Sequence, residues 1–214
     1  MERKAFLLLL CPFMFSTDGI AATCDPLATR VKVDQLYHGY QIDRSVDGKR
    51  LERLGNKSVG TNKEMMGLTV SGLSYSMQLS TSVAKSGGRF CGSVRDINVQ
   101  FGAKDPIKVY IASGIAQGTC DDRVTVKHEL QHVSFIEHAI VTGSSRIKSA
   151  VSNSLAGKTF LGSSQNEVVD QAKQMIASVI DRELDKVASE MNARHASIDT
   201  DEAYSKTSAI CRGK

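Results

Sequence analysis

The chain has no Cys-x-x-Cys pair, no internal repeat, no low-complexity tract and no second apolar run long enough to cross a bilayer. Without the paired-cysteine spacing, a cysteine-ligated zinc site is a poor expectation. Without a second apolar run, nothing after the N-terminal segment anchors the chain in a membrane. Charge of one sign is also scarce: 27 Lys and Arg stand against 23 Asp and Glu, a net +4. So small an excess gives no reason to expect nucleic-acid binding, although it suits an anionic cell-envelope setting. Proline is rare, with three in 214 residues, and neither proline nor glycine lies between Gly118 and Gly143. That gap leaves room for an uninterrupted helix.

Met1–Ala22 has the layout of a secretory signal. Arg3 and Lys4 form a charged start, Ala5 to Phe15 an apolar core broken by Pro12, and Gly19-Ile20-Ala21-Ala22 a small-residue cleavage region. Ala21-Ala22-Thr23 before Cys24 does not form a lipoprotein box. Residues 23–214 are then an exported, soluble domain of about 190 residues, long enough for one real core. Five cysteines become four once Cys11 leaves with the signal. An even count in an oxidising compartment implies two disulfides, with three connectivities open. The expected pairing is Cys91–Cys120, from a strand region to the start of the long helix, and Cys24–Cys211, closing the termini.

Strands precede helices. Arg30–Asp43 alternates weakly, Met66–Val83 reads as one or two strands, and Ser86-Gly87-Gly88 breaks the run. Val94–Phe101 and Ile107–Ile111 look like an antiparallel hairpin around Gly102–Pro106, and Asp47-Gly48 marks a turn. Helix is expected over Arg123 to about Val141, Ser145–Leu155, and Gln165 to about Arg194. That order predicts an α+β fold, an antiparallel sheet followed by a helical half.

The chemistry concentrates in His128-Glu129-Leu130-Gln131-His132. Histidines four apart on a helix leave the same face, as two zinc ligands must. The intervening Glu129 lies about 100° round the helix, within reach of a metal-bound water without ligating the metal. Leu130 and Gln131 are uncharged and do not compete for the metal. Asp121 and Asp122 stand where an N-cap and a first-turn acid belong.

The run Thr125-Val126-Lys127-His128-Glu129-Leu130-Gln131-His132-Val133 resembles the extended signature of the zincin metallopeptidases, with Ser134 departing from the hydrophobic residue usual there. Ile198-Asp199-Thr200, Tyr204 and Cys211 resemble the C-terminal end of small secreted bacterial proteins described as zinc proteases of unknown function. The resemblance implies a bacterial protein, periplasmic or extracellular, with Zn²⁺ as cofactor. It also implies a sheet edge above the motif helix that binds extended substrate by backbone pairing, and Ile107–Ile111 is the strand expected there.

Catalytic zinc takes three protein ligands, and the motif supplies two. On the last long helix, Val168, Ala172, Met175, Ile176, Val179, Ile180, Val187 and Met191 share a face, with Glu183 and Glu190 near its middle. If the two long helices form a hairpin turning near residue 161, Glu190 comes level with the motif, which makes it the first choice as third ligand. Asp199 is the alternative. His138 follows His132 at the metzincin interval but lacks the glycine that would turn the chain. His195 reads as a helix-end surface histidine. Tyr204 is a candidate donor to a developing oxyanion.

The reading that follows is a secreted zinc peptidase in which His128, His132 and Glu190 hold the metal and Glu129 is general base toward the zinc-bound water. Its partner would be a peptide or protein in extended form, or peptidoglycan stem peptides. The alternative is a non-catalytic peptide-binding module of the envelope on a zincin-like fold.

Overall fold

Alternating apolar residues build two small sheets in the first half of the chain, and two long amphipathic helices cover them. The computed structural model describes Cys24 and residues 26–56 and 64–212; the segment read as a signal lies outside these. The first sheet is ordered β1 (Arg30–Leu36), β5 (Arg89–Ala103), β4 (Leu73–Ser86), with the short β7 (Phe160–Gly162) pairing the start of β5. The second is ordered β2 (Tyr40–Asp43), β6 (Ile107–Ile111), β3 (Gly67–Val70). The α+β class is as expected, but each sheet is mixed: β1 runs parallel to β5 and β2 parallel to β6.

The hairpin of the first sheet is β4–β5, turning between Ser86 and Arg89, where the sequence shows only a break. β5 and β6 are not hairpin partners. Residues 104–106 carry the chain from one sheet to the other, because the apolar faces of the two strands belong to different cores. Ile97, Val99 and Phe101 pack with the far half of the helices. Ile107, Val109 and Ile111, each 0% exposed, pack on Val133, Ile136 and Ile140. β6 is thus a central strand with both hydrogen-bonding sides filled, and the edge of its sheet near the motif is β3.

Asp47 begins the helix α1 (Gly48–Gly55) rather than a simple turn, its carboxylate accepting from the Arg50 amide at 2.7 Å. The helix α2 (Cys120–Leu155) is a single element of 36 residues where two segments are expected. Thr119 caps it, with Asp121 and Asp122 in the first turn, where their charge meets the positive helix end. Gly143 does not interrupt it. The ring of Phe101 presses so close that a Cβ on Gly143 would stand 2.6 Å from Phe101 Cε1, so glycine there answers to packing. The neighbouring hydroxyls of Thr142 and Ser144 are absorbed by carbonyls one turn back, at 2.8 Å each.

The helix α3 (Gln165–Ile198) starts at Ser164, whose hydroxyl accepts from the Glu167 amide, and it buries the expected stripe from Val168 to Val187. A last helix, α4 (Asp201–Arg212), has no counterpart in the sequence reading. The connection between α2 and α3 is not a tight turn. It makes a detour through β7, which pairs with Phe90–Gly92 of β5.

The disulfides differ from the expected pairing: they join Cys24 to Cys91 and Cys120 to Cys211. The parallel register of β1 on β5, Arg30 opposite Asp96, carries the preceding segment back along β5 to the level of Cys91. Thr29, donating to the Val94 carbonyl at 2.7 Å, pins that approach. At the other end α4 returns to α2 and brings Cys211 to its first residue. Non-reducing peptide mapping should recover these two links and neither of the alternative pairings. Replacing Cys120 and Cys211 together by serine should lower stability by about 2–4 kcal/mol in chemical denaturation, through the freed chain entropy of a loop spanning 91 residues.

Candidate metal centre

His128 and His132 leave one face of α2 a turn apart, and with Glu129 they form a group of metal-ligand composition and spacing. The ligand atoms of the three lie within 4.8 Å of one another. What completes the cluster comes from the end of α3. Asp199, its C-cap, places Oδ1 3.1 Å from His128 Nε2 and 3.0 Å from His132 Nε2, while the two Nε2 atoms are 3.2 Å apart. The three atoms form a nearly equilateral triangle. Ligands about 2.0–2.1 Å from a tetrahedral zinc are roughly 3.3–3.4 Å from each other, so the donor set fits such an ion with little adjustment.

Charge argues the same way. A carboxylate at a helix C-terminus faces the negative end of the helix dipole, at a cost of about 0.3–1 kcal/mol that nearby positive charge offsets. Asp199 lies at such an end, close enough to Glu129 for the two carboxylates to repel. Two acids and two imidazoles in a shared, largely buried space are a set that a divalent cation would neutralise.

Glu129 is only 4% exposed. Burial pushes its carboxyl above the usual range, opposed by the Thr69 hydroxyl, which donates to Oε2 at 2.7 Å. Thr69 belongs to β3, so the sheet edge itself aims the carboxylate. Gly67, two residues earlier, leaves the space in which that carboxylate lies: a Cβ there would stand 2.6 Å from Glu129 Oε1 and 2.8 Å from Cγ. Alternation along the strand turns Gly67 and Thr69 to the same side, toward α2.

Tyr204, on α4, donates to Asp199 Oδ1 at 3.0 Å, and its ring lies 5.3 Å from that of His128. Burial first, then the charge of Asp199, pushes the phenol well above its ordinary value and keeps it a donor. His195 sits one turn before Asp199 on α3, with Nδ1 2.7 Å from Nδ1 of His132.

Glu190 is not brought to this cluster. It lies on the surface and accepts from Arg146 at 2.7 Å. Arg146 is 14 residues past His132, roughly 21 Å along the axis of α2. The reason is the detour through β7, which sets α3 out of step with a simple hairpin, so that His132 meets His195 rather than the level of Glu190. Glu183 pairs with Lys186, and His138 is exposed on α2. Ser134, the departure from the zincin pattern, also faces solvent, where a polar residue costs nothing. Thr69 and Gly67 escape the sequence reading, and His195, read there as a surface histidine, instead meets His132. The first two carry no local signal, because β3 meets α2 across 60 residues of chain. The spacing of His195 and Asp199 repeats that of His128 and His132, and was the available clue.

Because the folded chain holds the Glu129 carboxyl above its unfolded value of about 4.3, the folded state prefers the protonated form. The stabilisation from Glu129 is fully present below the unfolded value and is lost as pH rises through the higher folded one. Glu129→Gln should therefore melt at a higher temperature than the wild type at pH 7 in metal-free protein, with the difference closing toward pH 4. Calorimetry at both pH values measures it, and equal melting temperatures at pH 7 would count against the shift. No family model, curated protein or solved structure matches this chain.

Proposed function

We propose that this protein is a zinc-dependent peptidase of an oxidising, extracytoplasmic compartment, with His128, His132 and Asp199 as metal ligands and Glu129 as general base. The observation that carries the reading is the convergence of His128 Nε2, His132 Nε2 and Asp199 Oδ1 within 3.0–3.2 Å of each other beside a buried carboxylate. Two intramolecular disulfides support the compartment, and no helix of the described residues is long and apolar enough to cross a membrane. Two imidazoles and a carboxylate suit zinc. When bound, zinc supplies Lewis acidity, which acidifies water near neutral pH and polarises a carbonyl.

The residues of the chain account for the remaining steps. Glu129 takes the proton from the attacking water and hands it to the departing amine. Thr69 and the space above Gly67 hold the carboxylate in one orientation, so little reorganisation is needed. Tyr204 stays protonated and can turn its hydroxyl from Asp199 toward developing negative charge on the substrate. β3, the edge of the second sheet nearest Glu129, offers backbone groups along which an extended peptide can add as a further strand, in place of the Ile107–Ile111 strand of the sequence reading.

Metal analysis by mass spectrometry tests the ligand set. The wild type and Glu190→Ala should each hold one zinc, and His132→Ala and Asp199→Ala should lose it. Zinc in Asp199→Ala but not in Glu190→Ala would reverse the assignment of the third ligand. Loaded Glu129→Gln should keep its zinc and lose hydrolysis by about 10²–10⁴-fold. Casein and isolated muropeptides, assayed side by side, separate protein from stem-peptide substrates. A wild type that holds zinc and cleaves neither would favour a binding module on the same shell.

A further inference from the structure

A zinc-ligating imidazole is fixed by what its second nitrogen does, and here that partner is another histidine. We infer that His195 is a positioning residue: its Nδ1 accepts the Nδ1–H of His132 and locks the tautomer and ring plane in which Nε2 of His132 is free to bind metal. The inference rests on the metal reading above and adds to it a residue that never touches the ion.

The geometry leaves few choices. His132 Nδ1 and His195 Nδ1 are 2.7 Å apart, close enough that one must be the donor and the other the acceptor. His132 Nε2 lies in the triangle with His128 Nε2 and Asp199 Oδ1. For Nε2 to offer a lone pair there, the proton of neutral His132 must sit on Nδ1. His195 is then the acceptor at Nδ1 and carries its own proton on Nε2. Ligating histidines more often donate to a carboxylate or a carbonyl; a neutral imidazole does the same work without adding negative charge beside Asp199 and Glu129.

Packing holds His195 to the task. Its ring lies 4.8 Å from that of His132 at an interplanar angle of 37°, and Phe135 meets both rings edge-on, at 5.7 and 6.4 Å. The backbone joins it to the proposed third ligand, since the Asp199 amide donates to the His195 carbonyl at 3.2 Å. One turn of α3 therefore delivers both the carboxylate for the ion and the acceptor that orients a ligand.

The experiment compares zinc affinity, by chelator competition, in the wild type, His195→Asn and His195→Leu. The carbonyl oxygen of asparagine reaches about where Nδ1 of histidine lies, whereas leucine fills the space with no acceptor. Asparagine should bind zinc within a few-fold of wild type and leucine about 10–100-fold more weakly, with both folded by circular dichroism. Nitrogen-15 NMR of the zinc-loaded wild type should show His195 protonated on Nε2 and not on Nδ1. Equal affinity in the leucine and wild-type proteins would overturn the inference. So would equal losses in leucine and asparagine, or a His195 protonated on Nδ1. A wild type that takes up no zinc at all would instead bring down the metal reading itself, and the positioning role with it.

Discussion

One helix has to satisfy two hydrophobic cores, and the rest of the structure is arranged around that demand. The first half of α2 closes the second sheet through Val133, Ile136 and Ile140. Its second half closes the first sheet through Ile147, Val151 and Leu155. Between them, at Gly143, the helix passes so near Phe101 that no side chain fits. Burial of this kind is worth about 25 cal/mol per Å² of apolar surface, so both contacts resist a bend in the helix between them. The motif sits on the end of α2 that leans on the second sheet. This is why the edge of that sheet, β3, supplies Thr69 and Gly67 to Glu129.

The side of the cluster that α3 supplies depends on the same rigidity from a different direction. α3 packs along α2 and ends level with the motif, and its last turn carries His195 and Asp199 in register with the histidine pair. α4 then folds back so that Tyr204 reaches Asp199. Three elements meet at one carboxylate oxygen, and the hydrophobic packing of α2 against α3 determines whether they meet at all.

Much of this was legible in the sequence. Periodicity revealed the helices and the buried stripe of α3, the order of elements revealed the α+β class, and the four-residue spacing revealed His128 and His132. Strand partners were not legible. Alternation shows which face of Ile107–Ile111 is buried but not which strands flank it, and a parallel pairing such as β2 with β6 has no turn to announce it. Glu190 lies away from the motif for a related reason. A helical projection ranks positions around an axis, but their level along it depends on the connection, and β7 lengthens that connection in a way no local pattern reveals. Glu190 has the right face and the wrong level. Asp199 was the alternative in the sequence, and it comes forward once the end of α3 is seen to meet the motif. The cysteines were countable but not pairable until β1 had a register on β5.

The Cys120–Cys211 link closes a covalent ring that contains His128, Glu129, His132, His195, Asp199 and Tyr204. Only β3 contributes to the cluster from outside it. A single backbone cut anywhere inside the ring opens the loop without releasing either piece, since the sulfur bridge still joins them. On the proposed reading, the enzyme is surrounded by peptide-cleaving activity that includes its own. The bridge makes the first nick in its helical half survivable: the severed ends stay at high effective concentration, and the packed helices can remain docked with the site intact.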